Sequence, residues 1–108
     1  MKNRSIITEY TDVSAFSGYP AECRHHLIFG RGLRDLAEED GLWIPLTNVE
    51  HNMSRDGLTY QIHENSAAEK LSKIAGQLAW EKHAILEFGY SADEVREAFR
   101  NRYGISYL

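Results

Sequence analysis

Two Ser-x-x-Glu motifs divide the C-terminal part of the chain into helices. The stretches Ser-Ala-Ala-Glu at 66–69 and Ser-Ala-Asp-Glu at 91–94 both have the form of a capping box. In that motif the serine and glutamate side chains satisfy backbone N–H groups at the start of a helix. Gly89 and Gly104 then stand where each helix should end. The spacing predicts one helix from residue 66 to about 88 and a second from about 91 to 104.

Apolar residues recur at helical spacing in both segments. In the first they are Leu71, Ile74, Ala75, Leu78 and Ile85; in the second they are Val95, Ala98 and Phe99. A stripe of this kind normally faces the core. We therefore expect a helical hairpin over residues 66–104 that supplies much of the hydrophobic core.

The N-terminal half carries shorter elements. We expect an arm and loop over 1–22, a strand over 23–29, a short helix over 33–39, a second strand over 42–46 and a helix start within 47–53. At 108 residues the chain has room for one domain. Strands followed by helices predict a single α+β domain.

Composition excludes several classes of protein. No apolar run approaches the length of a membrane span, and no apolar stretch follows the basic N-terminus as in a signal peptide. We therefore expect a cytoplasmic protein with no membrane partner. Cys23 is the single cysteine, so neither an intrachain disulfide nor an all-cysteine zinc site can form. The net charge of −4 argues against general affinity for nucleic acid, but Arg24, Arg31 and Arg34 leave room for a locally basic cleft.

The histidines are the candidate metal ligands and catalytic residues of the chain. His25 and His26 are adjacent on a predicted strand, so they should point to opposite faces, and His51 follows at a predicted helix start. Neutral imidazole is a common ligand for divalent metals, and it is also a suitable general base. One residue of the pair can bind a metal while the other takes a proton from water. The alternative is a strand pair with no chemical role.

Residues 21–53 resemble a family of small phage and prophage HNH endonuclease-like proteins. The stretches Ala-Glu-Cys-Arg-His-His-Leu-Ile-Phe-Gly, Asp-Gly-Leu-Trp-Ile-Pro-Leu and Glu-His-Asn-Met carry the resemblance. The later Ile-His at 62–63 and the ending Phe-Arg-Asn-Arg-Tyr-Gly at 99–104 with terminal Tyr-Leu are also similar. The resemblance implies a ββα-metal core over residues 23–53.

The resemblance also implies roles for individual residues. It makes His25 and His51 ligands of one divalent metal ion, His63 a candidate third ligand and His26 the general base. Mg, Mn, Zn and Ni are not distinguished. The implied partner is DNA, with a phage or host protein as a further candidate. Candidate contacts to the phosphate backbone are Arg24, Arg31 and Arg34.

The chain departs from that family at two places. Related proteins often hold a structural zinc between two Cys-x-x-Cys knuckles, where this chain has Ser-Ala-Phe-Ser at 14–17 and Thr-Asn-Val-Glu at 47–50. We expect packing to replace the zinc there. The middle Asn of the HNH motif would lie near Asp40 and Gly41, and Asp40 is the candidate to take over its hydrogen bonds.

Three functions compete at this point. The first is a metal-dependent DNA endonuclease, favoured by His25, His26 and His51 together. The second is a non-catalytic HNH-fold binding module for a protein or a nucleic acid, such as a phage inhibitor of a host system. The acidic balance and the missing Asn favour it. The third is a small helical protein whose histidines hold a structural zinc.

Overall fold

The chain forms a two-stranded antiparallel sheet with short helices, followed by two packed helices at the C-terminal end. This computed structural model describes residues 3–51 and 66–108. The elements are β1 (Cys23–His26), α1 (Leu33–Glu39), β2 (Trp43–Leu46), α2 (Asn48–His51), α3 (Ser66–Phe88) and α4 (Ala92–Tyr103). Within these two ranges, no helix combines the length and the apolar character that crossing a membrane requires. The expected α+β class is confirmed.

The sheet is a hairpin whose long connection contains α1. Cys23 pairs with Leu46 and His26 pairs with Trp43. The first strand is shorter than the expected 23–29, although the Leu27 amide still donates to the carbonyl of Leu42 at 2.8 Å. The predicted helix over 33–39 is confirmed with the same bounds.

The main core lies where this hairpin meets α3 and α4. Phe99 and Tyr103 of α4 stack with ring centroids 4.6 Å apart, and the Trp80 ring meets Phe99 edge-on at 5.4 Å. Ile28 and Leu42 from the hairpin pack into the same buried cluster. The hairpin and the helices are therefore stabilised by one shared core.

The expectation that the apolar stripe of α3 faces inward is wrong. Leu71, Leu78 and Ile85 are exposed, whereas the buried positions include Ser72 and Gly76. The cause is the close approach of α3 to the end of β1. A Cβ atom added at Gly76 would lie 2.8 Å from Cγ1 of Ile28. Only small side chains fit at such a distance, so the helix turns its larger apolar residues outward.

Polar contacts join α3 and α4 beside the apolar contact of Trp80 with Phe99. Arg96 donates from Nε and Nη2 to the two carboxylate oxygens of Glu81, at 2.7 and 3.2 Å. Buried Gln77 donates to Glu81 at 2.8 Å and accepts from the amide of Tyr107 at 2.6 Å. Burial raises the pKa of Glu81, but the hydrogen bonds from Arg96 and Gln77 outweigh it, and the pKa lies below its ordinary value.

The ends of these helices follow the sequence pattern. Helix α3 covers Ser66–Phe88, close to the expected bounds, and Gly89 follows it with a φ of 70°. Ser91 caps α4 in a capping box with Glu94, in which each side chain accepts from the other residue's backbone amide. Gly104 ends α4 in the left-handed conformation. Both boundaries of the predicted hairpin are therefore confirmed.

Leu78→Ala and Leu42→Ala provide a matched test of the corrected packing. Leu78 is 53% exposed and Leu42 is fully buried. We expect Leu78→Ala to cost less than about 1 kcal/mol of unfolding free energy and Leu42→Ala about 2–5 kcal/mol. Urea unfolding monitored by circular dichroism measures both. Equal losses in the two variants would mean that the stripe of α3 is core after all.

Glu81→Gln tests the polar contact between α3 and α4. We expect a loss of about 1–3 kcal/mol near neutral pH, because hydrogen bonds to a charged group are weakened. Since the pKa of Glu81 is lowered on folding, this contribution is present above the unfolded-state pKa of about 4.3 and is lost as pH falls through the folded-state value. The unfolding free energies of wild type and Glu81→Gln, measured by urea unfolding across that pH range, should therefore converge in acid.

Glu97→Gln is the control, because the Glu97–Arg100 ion pair is exposed. It should change stability by less than about 0.5 kcal/mol at any pH. A difference between wild type and Glu81→Gln that stays constant into acid would contradict the account of the Glu81 contact.

Candidate metal and catalytic site

His25 and His26 extend to opposite sides of β1 and meet different elements. His25 contacts Ser72 of α3 and lies beside His51 at the end of α2. His26 contacts Glu38 of α1. Both imidazoles are buried, so each is held by the protein on its own side of the sheet. The alternation of side chains along a strand explains the division.

Ser72 determines which nitrogen of His25 carries the proton. The hydroxyl of Ser72 has one hydrogen, and it donates that hydrogen to the carbonyl of Leu27 at 2.8 Å. Its oxygen can therefore only accept from Nε2 of His25, at 2.7 Å. This leaves Nδ1 as the acceptor nitrogen of the ring. Histidines that bind metals commonly donate their other ring N–H to a protein acceptor in this way.

His51 lies beside His25 at a separation suited to sharing an ion. The two ring centroids are 5.2 Å apart and the ring planes are inclined at 65°. Two imidazoles on one tetrahedral ion, with metal–nitrogen distances of about 2.0–2.1 Å, would have centroids roughly 5 Å apart. The pair therefore fits a two-histidine share of a metal site.

Further metal ligands cannot be assigned from the described part of the chain. Residues 3–51 and 66–108 contain no group of three or more His, Cys, Asp or Glu placed to hold an ion. His63, the candidate third ligand, lies outside the described residues. The shared metal ion at His25 and His51 stays a prediction.

His26 lies between the carboxylate of Glu38 and the guanidinium of Arg34. Its Nε2 lies 2.8 Å from Oε1 of Glu38, and Nε of Arg34 donates to its Nδ1 at 3.4 Å. Arg24 donates to the other carboxylate oxygen of Glu38 at 2.8 Å. Burial raises the pKa of Glu38, but the hydrogen bonds from His26 and Arg24 outweigh it, so the pKa lies below its usual value.

The three candidate phosphate contacts differ in their surroundings. The Arg24 guanidinium lies 3.7 Å above the Trp43 ring and also binds Glu38, so it has a structural role in the hairpin. Arg34 is exposed on α1 beside His26. Arg31 is exposed in the preceding turn, where its φ is 46°. Of the three, Arg34 is the one shown in contact with the His26 ring.

The two stretches that the resemblance places at cysteine knuckles, residues 14–17 and 47–50, lie together. The Ser14 hydroxyl donates to Glu50 at 2.6 Å, and the amide of Thr47 donates to the same oxygen at 2.9 Å. The amides of Phe16 and Ser17 turn back to the Ser14 hydroxyl at 3.0 and 3.2 Å. Burial raises the pKa of Glu50, but hydrogen bonds from Ser14 and Thr47 outweigh it and lower the pKa overall. Hydrogen bonds thus join the 14–17 loop to the 47–50 turn.

Asp40 anchors the connection between the two strands. Arg102 donates to both of its carboxylate oxygens at 2.7 Å, and the Tyr103 hydroxyl and the Trp80 indole donate to it at 2.7 and 3.0 Å. The end of α1 is thereby tied to α3 and α4. Asp40 does restrain this connection, and it does so through the C-terminal helices.

Comparisons with protein-family models, with curated proteins and with solved structures give no match to this chain. The case for a function therefore depends on the geometry above and on the resemblance in the sequence. The sequence indicates His25, His26 and His51 as candidates, but it does not indicate their partners Ser72 and Glu38. Ser72 lies 47 residues from His25, and no local pattern indicates that contact. Glu38 lies 12 residues after His26, on a helix whose bounds were predicted.

Replacing the four knuckle positions by cysteine tests the correspondence with a zinc site. The variant is Ser14→Cys, Ser17→Cys, Thr47→Cys and Glu50→Cys, with Cys23→Ser to remove the native thiol. We expect it to bind one zinc ion in tetrahedral thiolate coordination and to unfold at a higher temperature with the metal. Metal analysis and the absorption spectrum of the cobalt form measure this.

The control carries only the Ser14, Ser17 and Cys23 changes and should bind zinc far more weakly. Equal zinc binding by the two variants, or none by the four-cysteine protein while it remains folded, would show that these positions do not correspond to two knuckles.

Proposed function

We propose that this protein is a metal-dependent DNA endonuclease of the HNH type that hydrolyses phosphodiester bonds. The observation that carries the proposal is that the adjacent histidines of β1 lie on opposite sides of the strand. His25 lies beside His51 in one buried place, while its neighbour His26 lies on the other side with an acid and an exposed arginine. This arrangement separates a pair of ligands from a candidate base.

His25 and His51 would hold the metal, with His63 as the candidate third ligand. The fit rests on their centroid separation and on Ser72, which leaves Nδ1 of His25 as the acceptor. A divalent ion, when bound, supplies positive charge that stabilises the phosphorane-like transition state of hydrolysis. Ser72 keeps the ring of His25 in place on β1, and His51 is placed by α2, before the substrate arrives.

His26 is the general base of the proposed reaction. It takes a proton from water, whose oxygen forms a bond to phosphorus as the bond to one bridging oxygen breaks. A base of this kind typically contributes a factor of 10² to 10⁴ in rate. Arg34, exposed beside the ring, can leave His26 and bind a phosphate oxygen. Arg31, exposed in the preceding turn, is a second candidate.

Two contacts in the fold support the proposal, because they can replace the structural zinc and the middle Asn of the HNH family. The Ser14–Glu50 hydrogen bond connects the places where related proteins hold zinc, and Asp40 restrains the connection that the middle Asn would restrain. Together with β1, β2 and α2, these contacts are what a ββα-metal core over residues 23–53 requires after losing its zinc. Helix α2 covers Asn48–His51, and residues 52–53 of the proposed core lie outside the described residues.

His26→Ala and His25→Ala separate the roles of base and ligand. We expect His26→Ala to lower the rate of plasmid nicking by about 10² to 10⁴ with metal content nearly unchanged. His25→Ala should lower both the rate and the metal affinity. Nicking with and without Mg²⁺ or Mn²⁺, together with calorimetric metal titration, measures the two effects.

His83→Ala is the matched control, because His83 is exposed on α3, away from both histidines of β1. It should behave as wild type. Equal loss of metal by the His25 and His26 variants would contradict the separation of roles. Absence of metal-dependent cleavage by wild type on single-stranded, duplex and branched DNA would reject the endonuclease.

A non-catalytic binding module is the second candidate, and an apolar surface favours it. An apolar groove of about 390 Å³ lies between α3 and the hairpin, lined among others by Leu27, Ile44 and Leu71. Leu78 extends the exposed apolar surface along α3. With a net charge of −4, such a surface suits a protein partner better than DNA. Capture of a protein partner that Leu71→Asp abolishes, with no cleavage of DNA by the wild type, would select this function over the endonuclease.

A further inference from the structure

We propose that Glu38 is the positioning residue of the reaction: it holds His26 in the tautomer whose Nδ1 is the nitrogen that accepts the proton from water. The inference rests on the proposed function and deepens it. It depends on the carboxylate of Glu38 and the guanidinium of Arg34, which contact His26, and on the guanidinium of Arg24, which holds Glu38.

The hydrogen bonds around His26 assign its tautomer. A carboxylate only accepts, so the 2.8 Å contact between Nε2 of His26 and Oε1 of Glu38 places a proton on Nε2. Arginine only donates, so the 3.4 Å contact from Nε of Arg34 requires a lone pair on Nδ1. Both contacts describe the same neutral ring, with Nδ1 as its basic nitrogen.

Glu38 is itself held in place. Arg24 donates to its Oε2 at 2.8 Å while stacking on the ring of Trp43, which pairs with His26 across the sheet. The carboxylate therefore cannot rotate away without giving up a charged hydrogen bond. This makes Glu38 an orienting acid of the kind that holds a catalytic histidine by its second nitrogen.

The proton balance of the step follows from this assignment. The lone pair of Nδ1 takes a proton from water, and the water oxygen forms a bond to phosphorus. The bond from phosphorus to the leaving oxygen breaks, and that oxygen keeps the electron pair and takes a proton from solvent water. The resulting imidazolium donates from Nε2 to Glu38, whose negative charge stabilises it. Arg34 must first leave Nδ1, and its exposed position on α1 allows this.

The test compares Glu38→Met, Glu38→Gln and the control Glu39→Gln. Methionine keeps the length of the side chain and removes the acceptor, whereas glutamine keeps an acceptor oxygen and removes the charge. Glu39 is the exposed neighbour on the same helix. Two-bond proton–nitrogen NMR spectra, recorded with diamagnetic Mg²⁺, report the tautomer of His26, and plasmid nicking reports the rate. Thermal unfolding shows that each variant remains folded.

We expect wild-type His26 to carry its proton on Nε2. Glu38→Met should populate the other tautomer and lower the nicking rate about 10- to 100-fold with metal affinity unchanged. Glu38→Gln should keep the wild-type tautomer and nick within about 10-fold of wild type, and Glu39→Gln should match wild type in both measurements.

Two results would overturn the inference while leaving the endonuclease intact. One is a wild-type protein that nicks DNA with the proton of His26 on Nδ1. The other is a folded Glu38→Met protein that nicks at the wild-type rate. A wild-type protein with the Nε2 tautomer and no cleavage would reject the proposed function instead, and the catalytic role of Glu38 with it.

Discussion

The contact of α3 with the end of β1 is the interaction on which the rest of the structure depends. Ser72 accepts from His25 and donates to the carbonyl of Leu27, and Gly76, one turn later, lets the helix approach Ile28 closely. The same contact closes the core and orients a histidine. A larger side chain at Gly76 would move α3 away from β1, and His25 would then lose its acceptor. Folding and the proposed metal site are thus coupled through one helix face.

A second constraint acts on the other side of the sheet. Arg24, Glu38 and Trp43 form a connected group around His26, and Asp40 ties the end of the same helix to Arg102. Hydrogen bonds between charged groups of this kind are stronger than those between neutral groups. The hydrogen bond from Ser14 to Glu50 likewise joins the 14–17 loop to the 47–50 turn.

Local sequence patterns predicted the elements better than their packing. The capping box at Ser91 and the glycine after each helix set boundaries because they satisfy backbone groups within a few residues. The alternation at β1 predicted that His25 and His26 would diverge, since it depends only on strand geometry. The face of α3 could not be predicted in this way. Periodicity identifies an apolar stripe, but the distance to the partner decides whether that stripe or the small residues are buried.

The candidate site was also predicted only in part. The histidines stand out in the sequence as candidates, whereas Ser72 and Glu38 are ordinary polar residues whose contacts with them form only on folding. The measurement that tests the account most directly is anomalous diffraction from crystals grown with Mn²⁺. The account predicts one manganese ion at a distance of about 2.0–2.3 Å from Nδ1 of His25, with His51 bound to the same ion and His26 not bound to it. An ion bound by His26, or none near His25 at saturating metal, would contradict it.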